Sequence, residues 1–234
     1  MNILLTGVSR GVGLEICRVL LNNGHNVFGI ARSHTQSFKD LQSEFPETLF
    51  FKSVDLLDVD NLYQVVFKDY IGNKTPIDGL VNNAGVAYDD IVSNINLNKL
   101  ESLFAVNVYT PMILTKYVIR NMILHKRKGS LVHISSISAH TAYKGLSMYA
   151  SSKGALEAFS KGVAREWGEL GIRSNVVVPG FMETSMSSTL TENQKDRIYK
   201  RTALKVPTEV SSVAETVDFL LSKKSISITG QNIF

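Results

Sequence analysis

The sequence contains almost no cysteine: Cys17 is the single one among 234 residues. A lone thiol has no partner within the chain, so an internal disulfide is excluded, and a reducing cytoplasm is the expected location. The N-terminus also lacks the basic segment and apolar core of a signal peptide. Because Cys17 lies in a helical pattern, LEICRVLLNN, we expect it to be a buried core thiol.

Long apolar runs and a strong excess of one charge are also missing. No apolar run approaches the roughly 20 residues that span a bilayer, so a membrane-spanning chain is not expected. Basic residues number 25 and acidic residues 21, which is no footprint of nucleic-acid binding. The densest basic run, HKRK at residues 125–128, precedes Gly129, and we interpret it as the solvated end of a helix. No metal site is predicted.

Short β-like runs alternate with amphipathic helical runs along the chain. Strands are expected at residues 2–6, 26–30, 49–53, 78–82, 130–135 and 174–178, with a weak seventh near the C-terminus. The longest helical run extends from about residue 96 to residue 128 and contains Pro111, where a kink is expected; the next extends from about 147 to 170. The alternation predicts an α/β fold over residues 1–234, a single-domain Rossmann-like doubly wound parallel sheet of six to seven strands with helices on both faces.

A glycine cluster follows the first predicted strand. In TGVSRGVG, residues 6–13, Gly7, Gly11 and Gly13 stand between this strand and an amphipathic helix. Turns need glycine on other grounds, but at this position backbone N–H groups can approach a pyrophosphate, and the helix N-terminus adds a positive dipole end. The cluster therefore predicts a dinucleotide site.

The end of the second strand indicates which dinucleotide is bound. A fold that prefers NAD places an acidic residue there, whereas this chain has Ala31, Arg32 and Ser33. Arg32 and Arg10 are suited to charge-assisted bonds with a 2'-phosphate, although either is also explained as an ordinary surface charge. We therefore expect NADPH/NADP+ rather than NAD.

Tyr149 and Lys153 lie four residues apart in SMYASSKGAL, so a helix places them on one face. A nearby cation lowers the pKa of a phenol and makes it usable as a proton donor near neutral pH. Ser136, thirteen residues upstream, carries a hydroxyl suited to holding a carbonyl oxygen. The spacing alone is more typical of two surface neighbours, so the rest of the chain must support the catalytic interpretation.

Five segments in order give this support, because together they resemble the short-chain dehydrogenase/reductase family along nearly the whole chain. They are residues 6–13, NNAG at 82–85, Asn107 in FAVNVYTPM, Ser136 with Tyr149 and Lys153, and VPGFMETSM at 178–186. The likeness is strongest to the 3-oxoacyl-[acyl-carrier-protein] reductases of fatty acid biosynthesis. It implies an NADP-dependent ketoreductase in which NADPH delivers hydride to a ketone.

The resemblance also implies the role of each site residue. Tyr149 would protonate the alkoxide, Ser136 would bind it, Lys153 would hold the ribose and lower the pKa of Tyr149, and Asn107 would open its helix and hold a water. Core packing for Asn107 and helix capping for Asp55 and Thr184 remain alternatives. The implied cofactor-binding residues are Gly7, Ser9, Arg10, Gly11, Val12, Gly13, Arg32, Asp55, Leu56, Asn83, Ala84, Gly85, Tyr149, Lys153, Pro179, Gly180, Met182 and Thr184.

The substrate is less constrained. Carrier-protein reductases use basic residues to meet an acidic carrier; Arg127 matches one such position, but Leu170 occupies the other. We expect a small carbonyl substrate, a 3-oxoacyl thioester on a carrier protein or alternatively a free ketone, sugar or secondary alcohol. A non-enzymatic NADPH-sensing or scaffold role is a further alternative. The polar stretch 183–204 predicts a mobile lid, and the resemblance implies a homodimer or homotetramer, although the chain stops at Phe234, before the family's last strand and turn.

Overall fold

A computed structural model describes residues 1–141, 143–183 and 191–234. Its centre is one parallel sheet with the strand order β3-β2-β1-β4-β5-β6-β7. The strands are β1 (Asn2–Thr6), β2 (Asn26–Ala31), β3 (Leu49–Ser53), β4 (Gly79–Asn82), β5 (Ser130–Ile134), β6 (Arg173–Val177) and β7 (Asn232–Ile233). The doubly wound parallel sheet is thus confirmed, and the weak seventh strand forms with only two residues.

Helices cover both faces of this sheet, because each predicted strand is followed by an amphipathic run. Within the described residues the α-helices are α1 (Gly11–Asn22), α2 (Gln36–Glu44), α3 (Leu97–Phe104), α4 (Thr110–Leu124), α5 (Ser147–Trp167), α6 (Glu192–Tyr199) and α7 (Val210–Leu221). The segments Tyr63–Ile71 and Ala105–Tyr109 have the wider turns of a π-helix. On one face α1 and α7 pack on the sheet; on the other, α4 and α5 do.

The run Leu97–Leu124 corrects one expectation. By length and composition it is apolar enough to cross a membrane, which the sequence had not suggested, yet 56% of its most apolar stretch is buried inside the protein. Leu114, Val118 and Met122 are fully buried in the core beside the sheet. Core packing therefore accounts for the apolar character. Pro111 is the second residue of α4, directly after the wide turns, and the first turn of a helix tolerates proline.

The strand order reverses direction between β1 and β4. After β1 the chain moves outward to β3 and then returns to β4 on the other side of β1. In open parallel sheets a crevice forms at the carboxyl ends of the strands at such a reversal, and ligands bind there. Cys17 lies far from this chemistry: it is buried in the core, and burial raises the pKa of its thiol to about 12, which confirms an inert core thiol.

Candidate active site

A cavity of about 980 Å³ opens at the carboxyl edge of the sheet, beside the reversal of strand order. It brings together the glycine-rich turn, the ends of β2 and β4, and the first turns of α5. The implied cofactor residues that line it are Gly7, Ser9, Arg10, Gly11, Val12, Gly13, Arg32, Asp55, Leu56, Asn83, Ala84, Gly85, Tyr149, Lys153 and Met182.

Three of the implied cofactor residues are not among those that line the cavity. Pro179 follows β6 and accepts a backbone hydrogen bond from Ile137 at 2.9 Å. Gly180 packs so closely on Thr208 that a Cβ there would lie 2.6 Å from its hydroxyl oxygen. Thr184 lies outside the described residues. The roles of all three stay predictions.

The glycine-rich turn is shaped by contacts that only glycine permits. Gly7 and Gly11 have positive φ angles of 74° and 55°, which side chains disfavour. A Cβ on Gly13 would collide with the Gly7 carbonyl oxygen and with Asn83 Nδ2. Asn83 Nδ2 in turn donates to the carbonyl oxygens of Thr6 and Gly7, at 2.9 and 3.3 Å. The turn after β1 is therefore locked against the end of β4 with its backbone facing the cavity.

Two cations stand at one end of the cavity. Arg10 and Arg32 are exposed and line it together with Ser33. Among the residues that the structure describes, neither arginine forms an ion pair. Asp55 lines the same end, and its carboxylate accepts from the Leu57 backbone N–H at 3.1 Å within a turn; the next helix begins only at Tyr63, so Asp55 caps no helix. The two guanidinium groups suit an anion at this end of the cavity, and the Asp55 carboxylate suits a nucleobase that can donate a hydrogen bond beside it.

Tyr149 and Lys153 lie on the first turns of α5, with Lys153 Nζ 5.8 Å from the centre of the Tyr149 ring. Lys153 is 4% exposed and donates to the Ile134 carbonyl oxygen at 2.8 Å. Burial lowers the pKa of Lys153 to about 8, against the opposing charge of Glu157. The ammonium form still predominates at neutral pH.

The pKa of Tyr149 differs from the expectation. Burial raises it above the ordinary value, and the hydrogen bond with Ser136 lowers it by less, while the charge of Asp89 adds to the rise. The expected depression by Lys153 is therefore wrong for this arrangement, because loss of solvent disfavours the phenolate. The consequence is a phenol that stays protonated at neutral pH, which is the form that donates a proton.

Asn107 braces the segment that follows NNAG. It is 1% exposed and lies in the wide turns of Ala105–Tyr109, so the expected local opening of the helix is present. Its Oδ1 accepts from the Val86 N–H at 2.9 Å, and its Nδ2 donates to the Val86 carbonyl oxygen and to Ser152 Oγ, each at 3.0 Å. Asn107 thus joins the cavity wall to the residue beside Lys153.

Two site residues were not predicted from the sequence as parts of the site. Ser138 donates to Ser136 Oγ from its backbone N–H at 3.2 Å and from its hydroxyl at 2.9 Å, which leaves the Ser136 proton free for another acceptor. Glu157 is a buried carboxylate one turn beyond Lys153. A Ser-x-Ser pattern and a Glu four residues after the lysine were the available signals, but both are common in helices and turns.

Two expectations concerned contacts with the substrate: Arg127 as a contact for a carrier protein, and the stretch 183–204 as a lid. Arg127 pairs with Asp78, which precedes β4, with its Nε 3.6 Å from the carboxylate, so within one chain it lies at the edge of the sheet opposite the cavity. The predicted lid includes residues 184–190, which lie outside the described residues. Of the remainder, α6 has no buried residue, and its Tyr199 donates to Glu183 at 2.7 Å. A mobile lid stays a prediction.

Comparisons with known proteins agree with this geometry. A family model for short chain dehydrogenases matches residues 1–195. An L-xylulose reductase from Caenorhabditis elegans is 34% identical, covering 99% of this chain and 92% of the relative. A 3-oxoacyl-[acyl-carrier-protein] reductase from Buchnera aphidicola is 32% identical, with coverage of 98% and 93%. Among solved structures, a gluconate 5-dehydrogenase from Burkholderia cenocepacia in complex with NADP and tartrate superposes with a TM-score of 0.92 at 26% identity, covering 100% of this chain and 92% of that one.

Proposed function

The chain belongs to the short-chain dehydrogenase family, whose members are oxidoreductases that act on alcohols and ketones, and we propose that it is an NADPH-dependent carbonyl reductase. One observation carries the proposal: Tyr149 and Lys153 line the same cavity as the glycine-rich turn, and Ser136 lies near enough to lower the pKa of Tyr149. The proposed proton donor, the buried ammonium and the glycine-rich turn therefore line one cavity.

The residues present fit a dinucleotide with a 2'-phosphate. A Cβ on Gly13 would collide with the Gly7 carbonyl oxygen and distort the turn whose backbone would approach the pyrophosphate, and a Cβ on Gly85 would lie 3.3 Å from Lys153 Nζ. Arg10 and Arg32, which form no ion pair within the part of the chain that the structure describes, offer guanidinium groups at the cavity end where β2 finishes, and no acidic residue directly follows that strand to repel a phosphate. The NADP in the gluconate 5-dehydrogenase complex supports the same choice.

When bound, NADPH supplies a hydride to the carbonyl carbon of the substrate. Tyr149 gives its proton to the carbonyl oxygen as negative charge develops there, and the free Ser136 proton hydrogen-bonds the same oxygen. Lys153 would hold the nicotinamide ribose, and its buried ammonium places a positive charge 5.8 Å from the centre of the Tyr149 ring. Asn107 keeps the Val86 segment and Ser152 in place around this group, through the three hydrogen bonds it forms.

For the substrate we propose a 3-oxoacyl thioester carried on an acidic protein, supported by the similarity to 3-oxoacyl-[acyl-carrier-protein] reductases. A specific observation favours a second candidate, a free hydroxylated ketone. Arg127 is paired with Asp78 away from the cavity, while exposed polar residues line the cavity beyond Tyr149, namely Asp89, Asn98, Lys99 and Ser102. The L-xylulose reductase relative supports this alternative.

The test is NADPH oxidation by the purified protein with a panel of acetoacetyl thioesters, free ketoses and simple ketones. A higher kcat/KM for carrier-bound acetoacetate than for free ketones supports the first substrate, and the reverse order supports the second. No NADPH turnover with any carbonyl compound, in a protein that binds NADPH, would instead indicate the sensing or scaffold role.

A further inference from the structure

A buried carboxylate lies behind the catalytic face of α5. Glu157, one helical turn beyond Lys153, is 6% exposed and accepts three hydrogen bonds. Ser135 Oγ donates to Oε1 at 2.5 Å, while Asn232 Nδ2 and His140 Nε2 donate to Oε2 at 2.7 and 2.8 Å. Burying a carboxylate is costly unless such partners satisfy it, so a residue with only a packing role would be apolar here.

The three donors come from three different parts of the chain. Ser135 directly follows β5 and precedes Ser136, His140 follows the short 3₁₀ turn Ile137–Ala139, and Asn232 belongs to β7. Glu157 therefore fastens the segment that carries Ser136 to the helix that carries Tyr149 and Lys153. Bonds to an ionised acceptor are about twice as strong as neutral ones, which makes this a rigid junction.

Glu157 also lies four residues after the buried Lys153, so the two side chains stand on one face of α5. Among the described residues no carboxylate lies within 4 Å of Lys153 Nζ, and the charge that favours its ammonium is that of Glu157. The other titratable groups nearby are His140, whose side chain is 35% exposed, and His133 on β5. His133 is fully buried, and burial together with Lys153 lowers its pKa to about 3, so it is neutral and adds no charge.

We propose that Glu157 is a positioning residue of this active site, whose carboxylate holds residues 135–136 against α5 and serves as the counter-charge of the Lys153 ammonium. The inference rests on the proposed function for its catalytic consequence. It concerns neither substrate nor dinucleotide contact, because Glu157 is not among the residues that line the cavity and its carboxylate is bonded to three protein donors. Its two parts, the junction and the charge, are separable by substitution.

The experiment compares Glu157→Gln with Asn232→Ala. The first variant removes the charge from the junction, while the second removes one hydrogen bond and keeps the charge. Two quantities are followed against pH in the full-length protein: kcat/KM for ketone reduction, and the titration of the Lys153 amine by NMR of lysine labelled at Cε. The Lys153 signal is identified by its loss in Lys153→Arg.

Because an opposite charge favours the ammonium, its removal lowers the pKa of Lys153 from about 8. We expect the Lys153 titration and the alkaline limb of kcat/KM to move to lower pH by roughly one unit in Glu157→Gln. In Asn232→Ala both should stay at the parent position, whatever the loss in thermal stability. Parent-like titration in Glu157→Gln, or an equal shift in both variants, would overturn the counter-charge.

Two further cases are covered by the design: a Glu157→Gln variant that does not fold, and a parent protein that reduces no ketone. If Glu157→Gln does not fold, Glu157→Asp replaces it: the carboxylate is withdrawn by one methylene, so a smaller downward shift is expected, and an unchanged or higher midpoint contradicts the proposal. If the parent protein reduces no ketone, the proposed function fails, yet the NMR titration of Lys153 still decides the role of Glu157.

Discussion

Replacing Asn107 with alanine should uncouple activity from stability in a measurable way, and a matched variant exists on the same helical run. Asn121 is also a buried amide: its Oδ1 accepts from the Ile77 N–H at 2.8 Å and its Nδ2 donates to the Thr75 carbonyl oxygen at 3.0 Å. Asn107 braces the chain at the cavity edge of the sheet, and Asn121 braces it at the opposite edge. The two amides thus do similar structural work at different places.

The expected losses of stability are similar. Asn107→Ala removes three hydrogen bonds and Asn121→Ala removes two. With a net contribution of about 1 kcal/mol for each bond, the free energy of unfolding should fall by about 3 and about 2 kcal/mol. For a chain of this size each kcal/mol corresponds to roughly 2–4 °C in Tm, so both variants should melt several degrees lower and remain folded at 25 °C.

The expected losses of activity differ. Without Asn107 the Val86 segment and Ser152 lose the amide that joins them, and a misplacement of about 1 Å at a catalytic group costs on the order of 100-fold in rate. Asn121→Ala should retain kcat within about threefold, since its contacts lie across the sheet. Thermal melts and steady-state NADPH oxidation decide the matter. Equal activity losses in the two variants would show that Asn107 acts through stability alone.

Three other substitutions test separate parts of the site. Tyr149→Phe should lower kcat by about 10²-fold or more while NADPH binding, measured by fluorescence, stays near that of the parent; near-normal turnover would refute the proton-donor role. Arg32→Asp should weaken NADPH binding at least 10-fold and improve NADH binding, whereas an unchanged preference would remove Arg32 from the phosphate site. Gly13→Ala should destabilise the protein by about 1–3 kcal/mol and weaken NADPH binding, because its Cβ meets a backbone carbonyl that cannot move aside, and an unaffected Kd would contradict the cradle.

Most of the fold follows from local patterns in the sequence. The run NILLT forms a strand with the predicted bounds, Asn2–Thr6, because a buried apolar run suits a sheet covered on both faces. LFFKS also forms its strand as predicted, Leu49–Ser53, at the edge of the sheet, where only Leu49 is buried. Helix ends were less accurate: the run expected to reach residue 128 ends at Leu124, and the residues after it leave the helix, with Lys126 in a left-handed conformation. Local preference does not determine where tertiary packing stops a helix.

Part of the site could also be predicted from the sequence, because some of its residues belong to local patterns. The glycine-rich turn and the Tyr149 and Lys153 pair carry local signals, so the sequence indicates them directly. Glu157 carries only the weak signal of its spacing from Lys153, because its hydrogen-bond partners include Ser135, 22 residues away, and Asn232, 75 residues away. The direction of the Tyr149 pKa was missed on similar grounds, since burial is a property of the assembled fold rather than of a spacing.

The depth of the cavity residues divides them into two groups with different tolerance to change. Lys153 and Asn107 are buried, and their side chains form one and three hydrogen bonds, whereas Asp89, Asn98 and Lys99 are exposed on the cavity wall. Exposed substitutions usually alter stability by no more than about 0.5 kcal/mol. On the proposed function, selection for activity on a new ketone can therefore vary this wall extensively while the residues proposed for hydride and proton transfer are kept, which makes the protein a practical starting point for directed evolution.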